Sequence, residues 1–530
     1  MQHTQIPFQN TGYISKLICD YVSKNPKLDG LYGEFPDLVG FKKQIALKES
    51  QFPFESRKIL VESLQTQFSK LQVTKQTQEN IEALALKNTF TVVTGHQLNL
   101  FTGPLYFLYK IVSAINLAKQ LKAEFPQQNF VPVYWMATED HDFEEINHFF
   151  VKNTKIEWDV ESSGPVGIHS TKGLDTAFEE FSKEIGSSKN ANYLKELFRK
   201  GYLEHDNLTE ATRYIVNELF GAHGLVIVDG DDKQLKQLFT PYAKNELLDN
   251  VAINSLQITN AFLEENYKVQ VNPRDINLFY IKDGLRERII FEDELFKINN
   301  TAITLTKTEI LEELNKHPEY FSPNVIMRPL YQEVVLPNLC YIGGGGEIAY
   351  WLQLKAMFDK VAVPFPILLV RNSVLLINEK QARKAKKLEI KIEELFLKQE
   401  ALVNTKTKEL SELTIDFSAQ KETLAKLFSD LKPLVSQTNK TFEGALLAQE
   451  KKQLKGFLNL EKRLLKAEKK NLQDKLSRIT QIQNELFPRQ GLQERNVNFA
   501  EFYIEHGQEL IPILLQELDP LSLQFSVISL

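Results

Sequence analysis

Only two cysteines, Cys19 and Cys340, occur in 530 residues. Two thiols cannot build a disulfide framework or a four-cysteine zinc site, and a reducing compartment is the natural reading. No uninterrupted apolar run reaches the roughly 18 residues that a membrane helix needs. The opening MQHTQIPFQN lacks the basic start and apolar stretch of a secretion signal, so a cytoplasmic protein with no membrane partner is expected. Excess charge is missing too. With 63 Lys+Arg against 69 Asp+Glu the net charge is −6, and no chain-wide basic field draws in nucleic acid. Also absent are G-x-G-x-x-G and a P-loop ending in Gly-Lys-Ser/Thr, the two usual phosphate-cradling signatures. A composition of 43% hydrophobic and 25% charged residues excludes general disorder, and the length suffices for more than one domain.

Organised structure can be read along the chain. Amphipathic segments such as 55–72 precede T-F-T-V-V-T from Thr89, a β-branched run followed by Gly95 and an apolar-periodic stretch from Pro104 to Leu121. That order is strand, turn, helix. It recurs with a strand-like segment at 130–138, a helical spacing from Thr209 to Phe220, and G-L-V-I-V-D at 224–229. Strands without alternation are covered on both faces, and helices between them mean parallel crossovers. The expected fold is α/β, a doubly wound parallel core over residues 1–377, with insertions near 151–205 and 260–320, the second carrying strands at 276–282 and 287–291.

Residues 378–488 differ from the rest. Ala385, Leu388, Ile392, Leu395, Gln399 and Leu402 alternate by three and four, and Leu458, Leu465, Leu472, Ile479 and Leu486 fall every seventh residue. Heptads keep an apolar seam facing a partner helix. An antiparallel coiled-coil hairpin is predicted, with its turn near Pro433, packing on itself or pairing with a second subunit. After Pro488, aromatics and aliphatics return, and 489–530 is expected to rejoin the core.

Three polar clusters follow apolar strands. In the first, Thr94-Gly95-His96-Gln97, Asn99 and Thr102-Gly103-Pro104 could cradle an anion on free amides at a helix start, with His96 and Gln97 donating and Asn99 and Thr102 orienting; a ligand-free tight turn would need the same glycines. The second, Glu139-Asp140-His141-Asp142-Phe143-Glu144-Glu145 with His148, offers a divalent-metal site, an amine-binding general base, or merely an acidic helix start. In the third, Arg328 and Arg371 flank Tyr341-Ile342-Gly343-Gly344-Gly345-Gly346-Glu347-Ile348-Ala349-Tyr350-Trp351. The glycines are costly to order and suggest close backbone approach, while either arginine could grip carboxylate or phosphate, or satisfy a buried acid. Cys340, among apolar neighbours, reads as a packed thiol.

Four long motifs in fixed order, T-G-H-Q-L-N-L-F-T-G-P-L-Y, V-P-V-Y-W-M-A-T-E-D-H-D-F-E-E-I-N-H, S-P-N-V-I-M-R-P and Y-I-G-G-G-G-E-I-A-Y-W, followed by the heptad hairpin, resemble the bacillithiol-biosynthesis cysteine-adding enzymes, the BshC family. The resemblance spans nearly the whole chain. It implies a Rossmann-like core similar to class I aminoacyl-tRNA synthetases, a coiled-coil homodimer, and a cysteine ligase that joins L-cysteine to the amine of glucosaminyl-malate through an amide bond. ATP is the implied activator, and the metal, magnesium or zinc, stays open. Carried onto this chain, the implied catalytic residues are His96, Gln97, Asp140, His141 and Asp142. The binding set is Thr94, Gly95, Asn99, Thr102, Gly103, Tyr106, Arg328, Gly343, Gly344, Gly345, Gly346, Glu347, Tyr350, Trp351 and Arg371. Two rival readings are a metal-dependent hydrolase or transferase built on Asp140, His141 and Asp142, and a scaffold in which the hairpin is the working part.

Overall fold

The computed structural model describes residues 2–438 and 440–530. Its central sheet has five strands, all parallel, in the spatial order Ile367–Val370, Asn338–Gly343, Thr89–His96, Asn129–Met136, Val226–Asp229. Numbered along the chain this order is 5-4-1-2-3, the doubly wound arrangement, and its direction reverses between Thr89–His96 and Asn338–Gly343. Every residue of Thr89–His96 is buried, as expected for a strand covered on both faces. Helix Tyr106–Glu124 lays Ala114, Leu117 and Leu121 against Phe90, Val92 and Ile342 in one cluster, whereas Val93 and Tyr341 belong to the other. The exposed edge is managed by a side chain: Gln67 pairs with the Asp229 backbone as a strand would, accepting from its N–H at 2.9 Å and donating to its carbonyl at 3.0 Å.

Both insertions form small units beside this sheet. The first contains the hairpin His148–Val151 and Thr154–Glu157 with helices Leu174–Ile185 and Lys189–Phe198. The second is an antiparallel sheet in which Leu278–Lys282 lies between Leu285–Glu292 and Phe321–Pro323. A third sheet joins the chain ends. Gln524–Ser529 pairs antiparallel with Gln2–Pro7 and parallel with Ser373–Ile377.

The C-terminal hairpin is present, its first helix ending two residues past Pro433. Helix Ser418–Val435 runs antiparallel to Lys440–Asn471, held by a Lys421–Glu461 ion pair and by Ser411 donating to Glu468. Pro433 lies inside the first of these helices, not at the turn. Its ring forbids one backbone bond but its φ is helical, so the helix ends two residues later instead of at the proline. The heptad seam changes partner along its length. Leu458 is 47% exposed, while Ile479 and Leu486 are fully buried, because helix Gln473–Leu486 packs on helix Gln399–Leu410 at the base of the arm.

Candidate functional site

Where the strand order reverses, the loops after Thr89–His96 and Asn338–Gly343 diverge and leave a crevice, the usual ligand position in open α/β sheets. A cavity of about 420 Å³ occupies it, within the range that holds small substrates. Of the residues singled out in sequence, Gly95, His96, Gln97, Tyr106, Asp140, Arg328, Gly344, Gly346, Glu347, Tyr350 and Arg371 line it together. A side chain at Gly95 would stand 3.5 Å from the Tyr341 hydroxyl and 3.7 Å from the Arg328 guanidinium, so glycine there keeps the crevice open. The glycine run has no positive φ. Only Gly343 is sterically obligatory, since a Cβ would lie 2.9 Å from Glu347 Cβ.

One end of the cavity is cationic. Lys110 is buried in mid-helix, donates to the Gly95 carbonyl at 2.6 Å and pairs with Glu347 at 2.6 Å. Glu347 also accepts from the Tyr341 hydroxyl at 2.7 Å and the Gly344 amide at 2.8 Å. Burial works against the Glu347 carboxylate, but Lys110 and these donors hold its pKa below the ordinary value, while burial pulls the Lys110 ammonium down. Arg328 donates to the Tyr350 hydroxyl and to Gln332 Oε1, both at 3.2 Å. Arg371 grips Glu494 with two bonds of 2.7 and 3.1 Å and lies over the Tyr106 ring. Its Nε is buried without a partner. Tyr106 in turn stacks on His96, with ring centroids 5.1 Å apart. Burial, with Lys110 and Arg371 nearby, holds the His96 imidazole neutral, well below its ordinary pKa. Arg495 completes this end and makes no ion pair among the described residues.

Elsewhere in the wall carboxylates stand beside cations, with Arg286 next to Glu139 and Asp140. Glu139 pairs with the buried Lys236 at 2.5 Å. Asp140 accepts from Gln97 Nε2 at 2.8 Å and from the His141 backbone at 2.8 Å. Burial would raise the Asp140 pKa, yet the bonds from His141 and Gln97 prevail and set it at about 2. Asp140 is therefore an ionised acceptor and a poor proton-taker near neutral pH. Gln97 shares its amide with Glu145 at 3.1 Å.

Several expectations are corrected by placement. Thr94 stays inside the sheet, its hydroxyl donating to the Ile342 carbonyl at 2.8 Å. Trp351 is fully buried against Tyr341, 4.4 Å between centroids, and is core. Gly343 ends its strand and Gly345 faces Ile18, so neither lines the crevice. Thr102 and Gly103 are buried in a strained turn: Phe101 and Thr102 have positive φ, and Asn498 donates to the Phe101 and Gly103 carbonyls at 2.8 and 2.6 Å. The helix start after Pro104 offers no anion cradle from Leu105, Phe107 or Leu108, whose amides go to Val497, Pro104 and Leu105 carbonyls. Asn99 turns away from the crevice into a neighbouring cavity, as does His148. His141 and Asp142 are exposed outside the lining.

Oxygen and nitrogen atoms of Asp140, His141 and Asp142 do lie within 4.8 Å of one another. However, the Arg286 guanidinium contacts His141 Nδ1 at 2.6 Å, so a fixed cation already takes that lone pair. The ring's Nε2, 3.9 Å from Asp142, is left as the ligand atom of that group, and of the three residues only Asp140 lines the crevice. Residues missed in sequence are Lys110, Lys236, Arg286 and Arg495. Lys110 had a readable signal, a single charge inside the apolar stretch Y-F-L-Y-K-I-V-S-A-I. Arg495 had none, arriving from the far side of the hairpin.

Residues 1–372 match the N-terminal Rossmann-like domain, and residues 374–530 the C-terminal coiled-coil domain, of bacillithiol biosynthesis BshC. The chain belongs to the BshC family. A relative from Flavobacterium johnsoniae is 57% identical over 99% of both chains. One from Christiangramia forsetii is 53% identical over 99% of this chain and 98% of its own, and one from Cytophaga hutchinsonii is 38% identical over 97% of each. Each is described as "Putative cysteine ligase BshC". In this BshC-family chain the two matched regions meet beside Arg371, and its ion pair with Glu494 ties one region to the other at the site. Among the described residues no helix is long and apolar enough to cross a membrane.

Proposed function

We propose that this chain is a cysteine ligase that joins the carboxyl of cysteine to the amine of glucosaminyl-malate. The observation that carries the reading is one crevice that brings the ionised Asp140 together with Arg328 and Arg495, two guanidinium groups that have no carboxylate salt-bridge partner among the described residues. An amino acid and a dicarboxylate-bearing amine need opposite fields in a shared space. Amide formation from a free carboxylate in water is uphill, so the acid is activated: a cysteine carboxylate oxygen attacks a phosphoryl group of ATP, the phosphoanhydride bond to that phosphorus breaks with its electron pair, and a mixed anhydride forms as ADP or pyrophosphate leaves. The neutral amine nitrogen then attacks the carbonyl carbon, the C–N bond forms, the C–O bond to the phosphoryl group breaks with its electron pair, and the amine proton passes to the departing phosphate or to water.

The residues divide this work. Asp140 holds the cysteine ammonium, Glu139 being taken by Lys236; Arg328 and Arg495 hold malate carboxylates or phosphate, while Arg371, committed to Glu494, offers only its unpartnered Nε. His96, neutral and stacked on Tyr106, contributes a polar ring without adding charge near the reacting carbonyl. Selection of cysteine over serine falls to fit against side chains such as Trp135 and Met136 in the cavity wall, not to a thiolate-bound metal. The exposed leucines of the arm, Leu427, Leu431 and Leu434 at helical spacing, support pairing with a second copy. The test is incubation of the purified chain with cysteine and glucosaminyl-malate, with and without ATP, followed by mass detection of the thiol amide. No product in the presence of ATP overturns the reading; product without it overturns the activation step.

A further inference from the structure

Beside the crevice lies a second cavity of about 240 Å³, whose wall shares Gln97, Tyr106 and Arg495 with the first. Its remaining polar groups are of another kind. Glu145 presents a carboxylate that Gln97 already orients at 3.1 Å. Asn99 is 7% exposed, donates Nδ2 to the Glu145 carbonyl at 3.3 Å, and keeps its buried Oδ1 without a partner. His148 is half-buried with Nδ1 at 2.9 Å from Asn147 Oδ1; burial, with Lys155 nearby, keeps its ring pKa below the ordinary value. Phe149 and Phe150 supply apolar wall. Uncharged and anionic acceptors with a single arginine at the border repel a triphosphate. They suit a ring carrying several hydroxyls, with the buried Asn99 Oδ1 in need of a donor and the half-buried His148 and exposed Glu145 toward the rim.

We infer that this second cavity is the sugar subsite, taking the hexosamine ring of the acceptor with Asn99, Glu145 and His148 on its hydroxyls. The inference rests on the function proposed above. In glucosaminyl-malate the amine and the malate sit on neighbouring ring carbons. A ring in this cavity therefore delivers both through the shared wall, the malate toward Arg495 and the amine past Gln97 toward the crevice. The same polyol chemistry belongs to the ribose of ATP, and kinetics separates the two sources.

The experiment uses the full chain and the variants His148→Leu and Glu145→Gln, with Michaelis constants measured for each substrate in turn. The KM for glucosaminyl-malate is expected to rise tenfold or more in each variant, with KM for cysteine and for ATP and the melting temperature unchanged. A rise confined to ATP, or no rise, overturns the subsite while leaving the ligase reading intact, since the wild type still forms product. Should the wild type form no product, the ligase reading falls alone, and calorimetric titration of glucosaminyl-malate into wild type and His148→Leu decides the subsite: equal affinity overturns it, tenfold weaker binding to the variant supports it.

Discussion

Arg371 and Glu494 are 123 residues apart in sequence, yet their side chains are 3% and 1% exposed and joined by two hydrogen bonds. Glu494 also accepts from the Val374 amide at 2.9 Å. The pair thus fastens the segment after the hairpin to the strand leaving the crevice, and it carries Arg495 into the site. Breaking one partner of a buried pair strands the other charge, at a cost of about 3–5 kcal/mol. Glu494→Gln is expected to lower unfolding free energy by that amount in urea titrations, and to raise KM for the acceptor through displacement of Arg495. An unchanged urea midpoint would show that the pair is dispensable.

Asp140 and Asp142 separate the crevice from its surroundings. Asp140 lines the cavity while Asp142 is exposed beyond it, so only one carboxylate can meet a bound ammonium. Asp140→Asn should reduce kcat/KM for cysteine by about ten- to a hundredfold, the worth of one charge-assisted bond, and Asp142→Asn should leave it within twofold. Equal losses in both would place the acidic cluster in the reaction as a unit. Because the Asp140 pKa is depressed from 3.8 to about 2, its stabilising effect is complete above pH 3.8 and is lost as pH falls toward 2.

The strands were legible because runs such as Thr89–Thr94 and Gly224–Asp229 carry β-branched residues without alternation, and a covered parallel strand leaves that trace. The three polar clusters were legible for a similar reason, since charge placed directly after a buried run stands out. Which member of a cluster faces the ligand was not, because neighbours such as Asp140 and Asp142 differ only in the turn between them. Lys110 and Arg495 show two further limits. The apolar stretch around Lys110 marks it as buried without telling which carboxylate or carbonyl it meets, and a residue supplied from across the hairpin has no local pattern at all.

His96 gives a pH signature. Burial, with Lys110 and Arg371 nearby, holds its pKa well below the ordinary 6.5, so on acidification the unfolded chain takes the proton first. Stability contributed by the neutral ring is full above pH 6.5 and falls as pH drops below it, with a slope approaching about 1.4 kcal/mol per unit, until the folded ring itself titrates. His96→Gln, with no titrating group, should show a shallower loss of stability between pH 6.5 and 5. Parallel stability curves for the two proteins would place the ring in water.

The arm and its base have separable roles. Beyond Thr423 the hairpin exposes Leu427, Leu431 and Leu434, and Leu458 on the returning helix is 47% exposed. At the base, Phe396 packs on Phe487 and Phe525, and Gln483 donates to the Leu395 and Leu397 carbonyls at 3.0 and 2.7 Å. Excising residues 424–458 and closing Thr423 to Asn459 with a short glycine-serine turn removes the exposed leucines together with Phe428 and Leu446, which are buried within the arm itself, and leaves the base intact. If the arm pairs two copies, sedimentation should report a dimer for the full chain and a monomer for this variant, with turnover and melting temperature retained. Removing 378–488 instead uncovers Phe525 and Tyr13 and takes away the Phe396 and Phe487 rings that cover them, so that variant is expected to be insoluble. A dimer that survives loss of the arm would move the interface to another face of the molecule, because no other contact between copies would have been touched.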